Sequence, residues 1–271
     1  MKKPRSTKKY DYHAIWISDV HLGYKGCRAE FLLDFLETSR SDYLYLVGDI
    51  IDIWNMKKGL YWPQSHNDVV RKVLSKAKNG TRVIYVPGNH DELLREYDGM
   101  TFGNIEIHNR AIHKTIDGKS FLILHGDEFD SVVKCNRLLA ILGNHAYDIL
   151  LEINRGFNLL RRKCGFPYWS LAAYLKHKIK NAVQFIGEFE SAVAHEARKH
   201  GMDGVVCGHI HHAEIRKMDD VIYFNDGDWV ENCTALVEHH DGTMELMHWS
   251  DKQHSIKNDI GPAIDRIRTA A

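Results

Sequence analysis

The stretch Tyr43-Leu44-Tyr45-Leu46-Val47-Gly48-Asp49-Ile50-Ile51-Asp52 runs from five apolar and aromatic residues straight into a glycine and two carboxylates. A short apolar run that ends at a Gly-Asp step reads as a buried strand delivering acid at its carboxyl end. The same pattern recurs along the chain. Ala14 to Ile17 stops at Ser18-Asp19, Arg82 to Val86 at Pro87-Gly88-Asn89, and Phe121 to Leu124 at His125-Gly126. Gly204 to Val206 leads into Gly208-His209, and Val221 to Phe224 into Asn225-Asp226. Between the first three runs, Phe31/Leu32/Phe35/Leu36 and Val69/Val70/Val73/Leu74/Ala77 recur at helical spacings of three and four. Strands alternating with helices predict α/β layering.

The chain has 271 residues, 44% of them hydrophobic, which is enough for a substantial core. Five prolines and no Ser/Gly/Pro-rich linker predict one domain over 1–271, with its core at about 12–127 and 201–250. From about 128 to 200 the pattern changes. Leu138, Leu142, Leu150, Leu151 and Ile153, then Ile179, Val183, Ile186 and Phe189, predict two to four helices inserted as a cap, divided at Gly156 and Gly165-Phe166-Pro167. Asp241-Gly242 between Ala235-Leu236-Val237 and Met244-Glu245-Leu246 predicts a tight hairpin, and about 251–271 reads as a polar tail.

Lysine plus arginine and aspartate plus glutamate both number 36, so the overall charge gives no reason to expect a nucleic-acid partner. Five cysteines without a CxxC pair suit a reducing cytoplasm. No run approaches the roughly 18 uncharged apolar residues of a membrane span. A soluble, cytoplasmic protein is expected.

The chemistry lies at the strand ends. Asp19 and His21 share a face by the two-residue period, and Asp49, Asn89-His90-Asp91, His125 and His209/His211 follow the next four strands. In open parallel sheets the ligand crevice lies outside the carboxyl ends of the strands, so these clusters can converge. Asp, His and an Asn carbonyl are oxygen and nitrogen ligands without thiolate, which suits Mn²⁺, Fe or Zn²⁺. Seven ligands exceed one tetrahedral site but fit two ions. The expected division is Asp19, His21 and His211 on one ion, Asn89, His125 and His209 on the other, and Asp49 bridging. A hydroxide held between two such ions can attack phosphorus, which predicts phosphoester or anhydride hydrolysis. Asp52 reads equally as the partner of a ligand histidine or as a helix cap. His13, His108 and His113 read as surface or satisfied core histidines, and Trp16 and Trp54 as core or cleft-wall aromatics.

Taken in order, SDVH (18–21), GDIID (48–52), GNHD (88–91), HGD (125–127) and GHIH (208–211) resemble the signature of the calcineurin-like metallophosphoesterase superfamily. The resemblance spans about Ile15 to Trp249. It implies a four-layer α/β/β/α sandwich of two sheets flanked by helices, and a dimetal site usually holding Mn²⁺ or Fe. It also implies that His90 contacts phosphoryl oxygens or assists the leaving group, and that Asp91 orients His90. The length, GDIIDIW with Trp54, HGD, the helical segment before GHIH, and GDWVE (227–231) are similar to the bacterial UDP-2,3-diacylglucosamine diphosphatases of lipid A synthesis. In those enzymes water attacks the α-phosphorus to release UMP and a diacylated sugar phosphate, and inserted helices cover the acyl chains.

By that resemblance Arg161, Arg162 and Lys163, beside Phe157, Leu159, Leu160 and Phe166, would meet phosphates and acyl chains or the edge of the inner membrane, and Asn144 and His145 would face the site from the cap. The chain departs from those diphosphatases at His90, where many have GNRD, and after His211, where many continue GHTHRP. Histidine cannot reproduce the bidentate fork that arginine offers phosphate. A phosphodiesterase or nuclease of the same superfamily and a noncatalytic metal-binding scaffold are the competing readings. The first calls for an extended basic groove and the second for lost ligands, and all seven ligands are present.

Overall fold

A computed structural model describes residues 10–130 and 171–249. Four helices are described: α1 (Ala29–Thr38), α2 (Ile53–Lys58), α3 (Gln64–Lys78) and α4 (Leu171–Lys199). Twelve strands alternate with them: β1 (Tyr10–Ile17), β2 (Ser39–Val47), β3 (Arg82–Val86), β4 (Thr101–Phe102), β5 (Ile105–Ile107), β6 (Ala111–Lys114), β7 (Ser120–Ile123), β8 (Gly204–Cys207), β9 (Glu214–Met218), β10 (Val221–Asn225), β11 (Thr234–Glu238) and β12 (Met244–His248). They form a seven-stranded sheet in the order β12-β11-β1-β2-β3-β5-β4 and a five-stranded sheet in the order β6-β7-β8-β10-β9. Within the first sheet β1, β2, β3 and β5 are parallel, and within the second β7, β8 and β10 are parallel.

The two-residue period of the strands distributes the apolar runs over four layers. On β1, Ile15 and Ile17 turn outward to Leu32, Phe35 and Leu36 of α1 and Val69, Val73 and Ala77 of α3. Ala14 and Trp16 turn inward and meet Phe121, Ile123, Val206 and Phe224 of the other sheet. That sheet's alternate residues, Leu122, Leu124, Val205, Cys207 and Tyr223, pack under Phe189, Val193, Ala194 and Ala197 of α4. The expected α/β/β/α sandwich is therefore present, with strands buried on both faces.

Several expectations change in detail. The later half of α4 is the outer helical layer of the sandwich rather than part of a cap, because Phe189, Val193 and Ala197 are buried against the sheet. The β11–β12 connection is the expected tight hairpin: His239 N–H donates to Thr243 O at 2.9 Å, Gly242 N–H donates to His239 O at 2.9 Å, and Gly242 takes a φ of 84°. Strands β4, β5, β6 and β9 carry no apolar run to announce them. Edge strands such as β4, β6 and β9 face water along one side and tolerate polar residues. The cap residues Asn144, His145, Arg161, Arg162 and Lys163 and the tail lie outside the described residues.

Candidate metal centre

The parallel strands end together, and their first turns continue the pairing into the loops. Asp19 N–H donates to Gly48 O at 3.1 Å, His21 N–H to Asp49 O at 2.9 Å and Leu22 N–H to Ile50 O at 2.9 Å. The motifs after β1 and β2 are thereby held side by side. Five residues of this region take left-handed backbone conformations that non-glycine residues rarely adopt: Asp19, His21, Asp49, His209 and His211, with φ between 49° and 70°. Such conformations persist only where the surroundings impose them, and they concentrate at functional sites. Gly48 and Gly208 allow the close approach of the two sheets. A Cβ at Gly48 would overlap the His125 ring, and one at Gly208 would overlap Ser18 and Asp19.

Six predicted residues come together directly. His211 Nε2 lies 3.1 Å from Asp19 Oδ1 and His21 Nε2 lies 3.8 Å from it. Asp49 Oδ2 is 3.5 Å from His125 Nε2, 3.8 Å from His90 Nε2 and 3.9 Å from His21 Nε2. Asp19/His21/His211 and Asp19/Asp49/His125 thus form two groups of ligand atoms that share Asp19. Asn89 is buried with both amide atoms unpartnered. His209 meets His125 edge to face at 5.1 Å, with its Nε2 2.6 Å from Asp130 Oδ1.

Five buried atoms test the fit to metal: Asp19 Oδ1, His21 Nε2, Asp49 Oδ2, Asn89 Oδ1 and His125 Nε2 have no hydrogen-bond partner. A single unmet buried polar atom costs about 1–3 kcal/mol, so five converging orphans need a common partner. The outer atoms of Asp19, His21 and His125 are occupied. His21 Nδ1 lies 3.2 Å from Asp52 Oδ2, His125 Nδ1 lies 2.9 Å from Val47 O, and Asp19 Oδ2 accepts from Ser18 Oγ at 2.7 Å and His209 N at 2.8 Å. Imidazoles whose far nitrogen donates outward present a lone pair inward, which is the arrangement of metal ligands. The donor set of nitrogen and hard oxygen fits divalent ions of the Mn²⁺, Fe or Zn²⁺ kind.

Asp52 fills both roles expected of it. Its carboxylate caps α2 by accepting Asn55 N–H at 2.9 Å, and it also holds His21 and, at 2.8 Å, His90 Nδ1. The His90 ring leans on Trp54 at 4.5 Å, so Trp54 is a cleft wall, while Trp16 is core. The expectation that Asp91 orients His90 is corrected by these contacts. Asp91 is fully buried and instead accepts from Ile50 N at 2.8 Å, Gly88 N at 2.6 Å and the Tyr85 hydroxyl, which staples the Asp49 loop to β3. Asp226 escaped the sequence reading of the site. It is buried behind Asp19, its Oδ1 lies 2.5 Å from Ser18 Oγ, and burial together with the Asp19 charge pushes its carboxyl well above the ordinary range. Its position directly after the sixth apolar run was the available signal.

Burial pushes the His21 imidazole down, but the Asp19 carboxylate 3.8 Å away and the hydrogen bond with Asp52 outweigh it and raise the ring to about 10. Burial acts likewise on His125, where the Asp49 charge raises it to about 10. An ordinary imidazole near 6.5 in the unfolded chain makes this contribution complete below about pH 6.5 and lost as pH rises toward 10. Metal ligation requires the neutral rings and removes that loss. Melting curves should therefore show the metal-stripped protein losing Tm between pH 7 and 9 relative to the metal-loaded protein. Parallel curves with and without metal would contradict it.

The profile described as calcineurin-like phosphoesterase matches residues 12–213. A UDP-2,3-diacylglucosamine hydrolase of Psychromonas ingrahamii is 26% identical over 236 residues, covering 82% of this chain and 91% of that protein. The DNA polymerase II small subunit of Pyrococcus furiosus is 28% identical over 164 residues, covering 49% of this chain but only 26% of its own length. Among solved structures, the E. coli phosphoesterase Yfce overlaps 87% of this chain and 98% of its own at a TM-score of 0.41 and 13% identity.

Proposed function

The chain belongs to the calcineurin-like phosphoesterase family, and from that premise we propose that it is a dimetal pyrophosphate hydrolase acting on UDP-2,3-diacylglucosamine or a related nucleotide-linked lipid. The products would be UMP and a lipid sugar phosphate. The observation that carries the chemistry is the set of five unpartnered buried ligand atoms beneath one rim of the sandwich. The substrate class rests on the hydrolase relatives whose likeness extends over most of the chain.

Asp19, His21 and His211 would hold one ion, Asn89, His125 and His209 the other, and Asp49 both. When bound, two divalent ions supply a hydroxide nucleophile from water at neutral pH and neutralise charge growing on the phosphoryl group. The protein's own part is positioning. Asp52 and Trp54 fix the His90 ring so that Nε2 faces the centre and can donate to a phosphoryl oxygen. A phosphate leaving group departs with little protonation, so His90 stabilises charge more than it supplies a proton. A cavity of about 510 Å³ beside His125, walled by Arg95, His108, Arg110 and Asp127, offers room for the substrate's polar part.

The remaining assignments belong to the same proposal. Arg161, Arg162, Lys163, Asn144 and His145 would meet the lipid-linked substrate, and the protein would work in the cytoplasm at the inner face of the membrane. No described helix is long and apolar enough to cross a membrane.

A substrate panel with mass-spectrometric product identification tests the reading. UDP-diacylglucosamine should yield UMP and diacylglucosamine phosphate, and in H₂¹⁸O the label should enter UMP because water attacks the α-phosphorus. Equal cleavage of every nucleotide pyrophosphate in the panel would remove the lipid assignment while leaving a phosphohydrolase.

A further inference from the structure

A second convergence of ligand atoms lies between the sheets, away from the rim just described. We propose that His13, His113 and Glu238 form a third divalent-cation site, of the zinc class, which ties the two sheets together. His13 is in β1 and Glu238 in the adjacent β11 of the seven-stranded sheet, whereas His113 is in β6, an edge strand of the other. His13 lies four residues before the end of β1, roughly 13 Å along the strand from its carboxyl end.

The three inward atoms are His13 Nε2, His113 Nε2 and Glu238 Oε2. His113 Nε2 is 2.7 Å and His13 Nε2 3.9 Å from Glu238 Oε2, and the three lie within 4.8 Å of one another. Ligands about 2.1 Å from a tetrahedral zinc are roughly 3.4 Å apart, so the two distances bracket the spacing an ion would impose.

The outer atoms make the stronger argument. His13 Nδ1 lies 3.1 Å from Asp42 Oδ2, His113 Nδ1 lies 3.0 Å from the Tyr45 hydroxyl, and Glu238 Oε1 accepts Ile116 N–H at 2.9 Å. Each side chain is thus oriented from behind, which turns one ligand atom of each inward to a common point, where His113 Nε2 and Glu238 Oε2 share a hydrogen bond that an ion would replace. A buried His113–Glu238 hydrogen bond alone would need neither the second ring nor the carboxylate behind it. Two imidazoles and one carboxylate oxygen match zinc, whereas Ca²⁺ and Mg²⁺ demand more oxygen ligands. The fourth position faces outward. His13 keeps 19% of its side chain exposed, and the half-exposed His240 ring stands 6.2 Å away, so solvent or His240 can complete the shell.

His13 is the residue to alter, because His113 and Glu238 are buried in the core. Full-length protein would be equilibrated with Zn²⁺, freed of excess ion and counted by plasma mass spectrometry. Wild type should retain three zinc ions per chain. His13→Ala and the more conservative His13→Asn should each retain two, with hydrolysis of a generic phosphodiester within about twofold of wild type. A change at Asp49 that empties the rim should leave one ion, which adding His13→Ala removes. Equal zinc counts in wild type and both His13 variants would overturn the proposal, as would a double variant that keeps as many ions as the Asp49 variant alone. Because the readout is the difference made by His13, it stands apart from whatever the rim site binds or hydrolyses.

Discussion

Asp49→Asn is expected to lose bound metal and turnover together, with ion content at the rim falling from two to below one and activity dropping by about 10³-fold or more. Asp49 is fully buried, its Oδ1 accepts His90 N–H at 2.8 Å, and its Oδ2 faces three imidazole Nε2 atoms between 3.5 and 3.9 Å away. Burial would raise its carboxyl, but the nearby His125 imidazole outweighs that and lowers it to about 2, so the group is an anion at neutral pH. Asparagine keeps the shape and removes the charge and one of the two oxygens, and a single neutral oxygen cannot balance two dications. Metal analysis beside a phosphodiester assay checks the result. A folded Asp49→Asn protein holding two ions at the rim would remove Asp49 from its bridging position.

His90→Ala should reduce turnover by about 10²–10³-fold while both ions remain. The ring is fixed at Nδ1 by Asp52 and on its face by Trp54, which leaves Nε2 at the centre but 3.8 Å from the nearest carboxylate oxygen. His21, Asp49 and His90 also form a group whose atoms could surround an ion, so ligand and oxyanion donor are both geometrically open to His90. Metal content separates them: an ion lost from His90→Ala makes it a ligand. Asp52→Ala gives the complementary pattern. It releases His21 as well as His90, and loss of such a supporting partner lowers metal affinity by about 10- to 100-fold, so ion affinity and turnover should fall together.

The contrast between Asp52 and Asp91 marks the boundary of what the chain alone discloses. Adjacent in sequence to His90, Asp91 is the natural candidate to hold its ring. In the folded protein Asp91 points back into β3 and the Asp49 loop, and Asp52, 38 residues away, takes the ring. Nothing local in GNHD or GDIID decides between those rotamers.

Local rules sufficed for α/β layering and for placing the candidate ligands at the strand ends, whereas the two-sheet, four-layer sandwich followed from the resemblance carried by the five motifs. A strand alternates its side chains, parallel strands end on one side, and each ligand follows its strand within a few residues. Those rules place Asp19, Asp49, Asn89 and His125 before any contact is known. Tertiary contacts decided the rest: the neighbouring ends of β2 and β3 settle which carboxylate steadies His90, and packing of one sheet on the other settles where Asp226 sits behind Asp19 and how His113 meets Glu238 at a sequence separation of 125. Such meetings depend on the relative twist and separation of two sheets, which is a property of the assembled core and leaves no periodic trace in the chain.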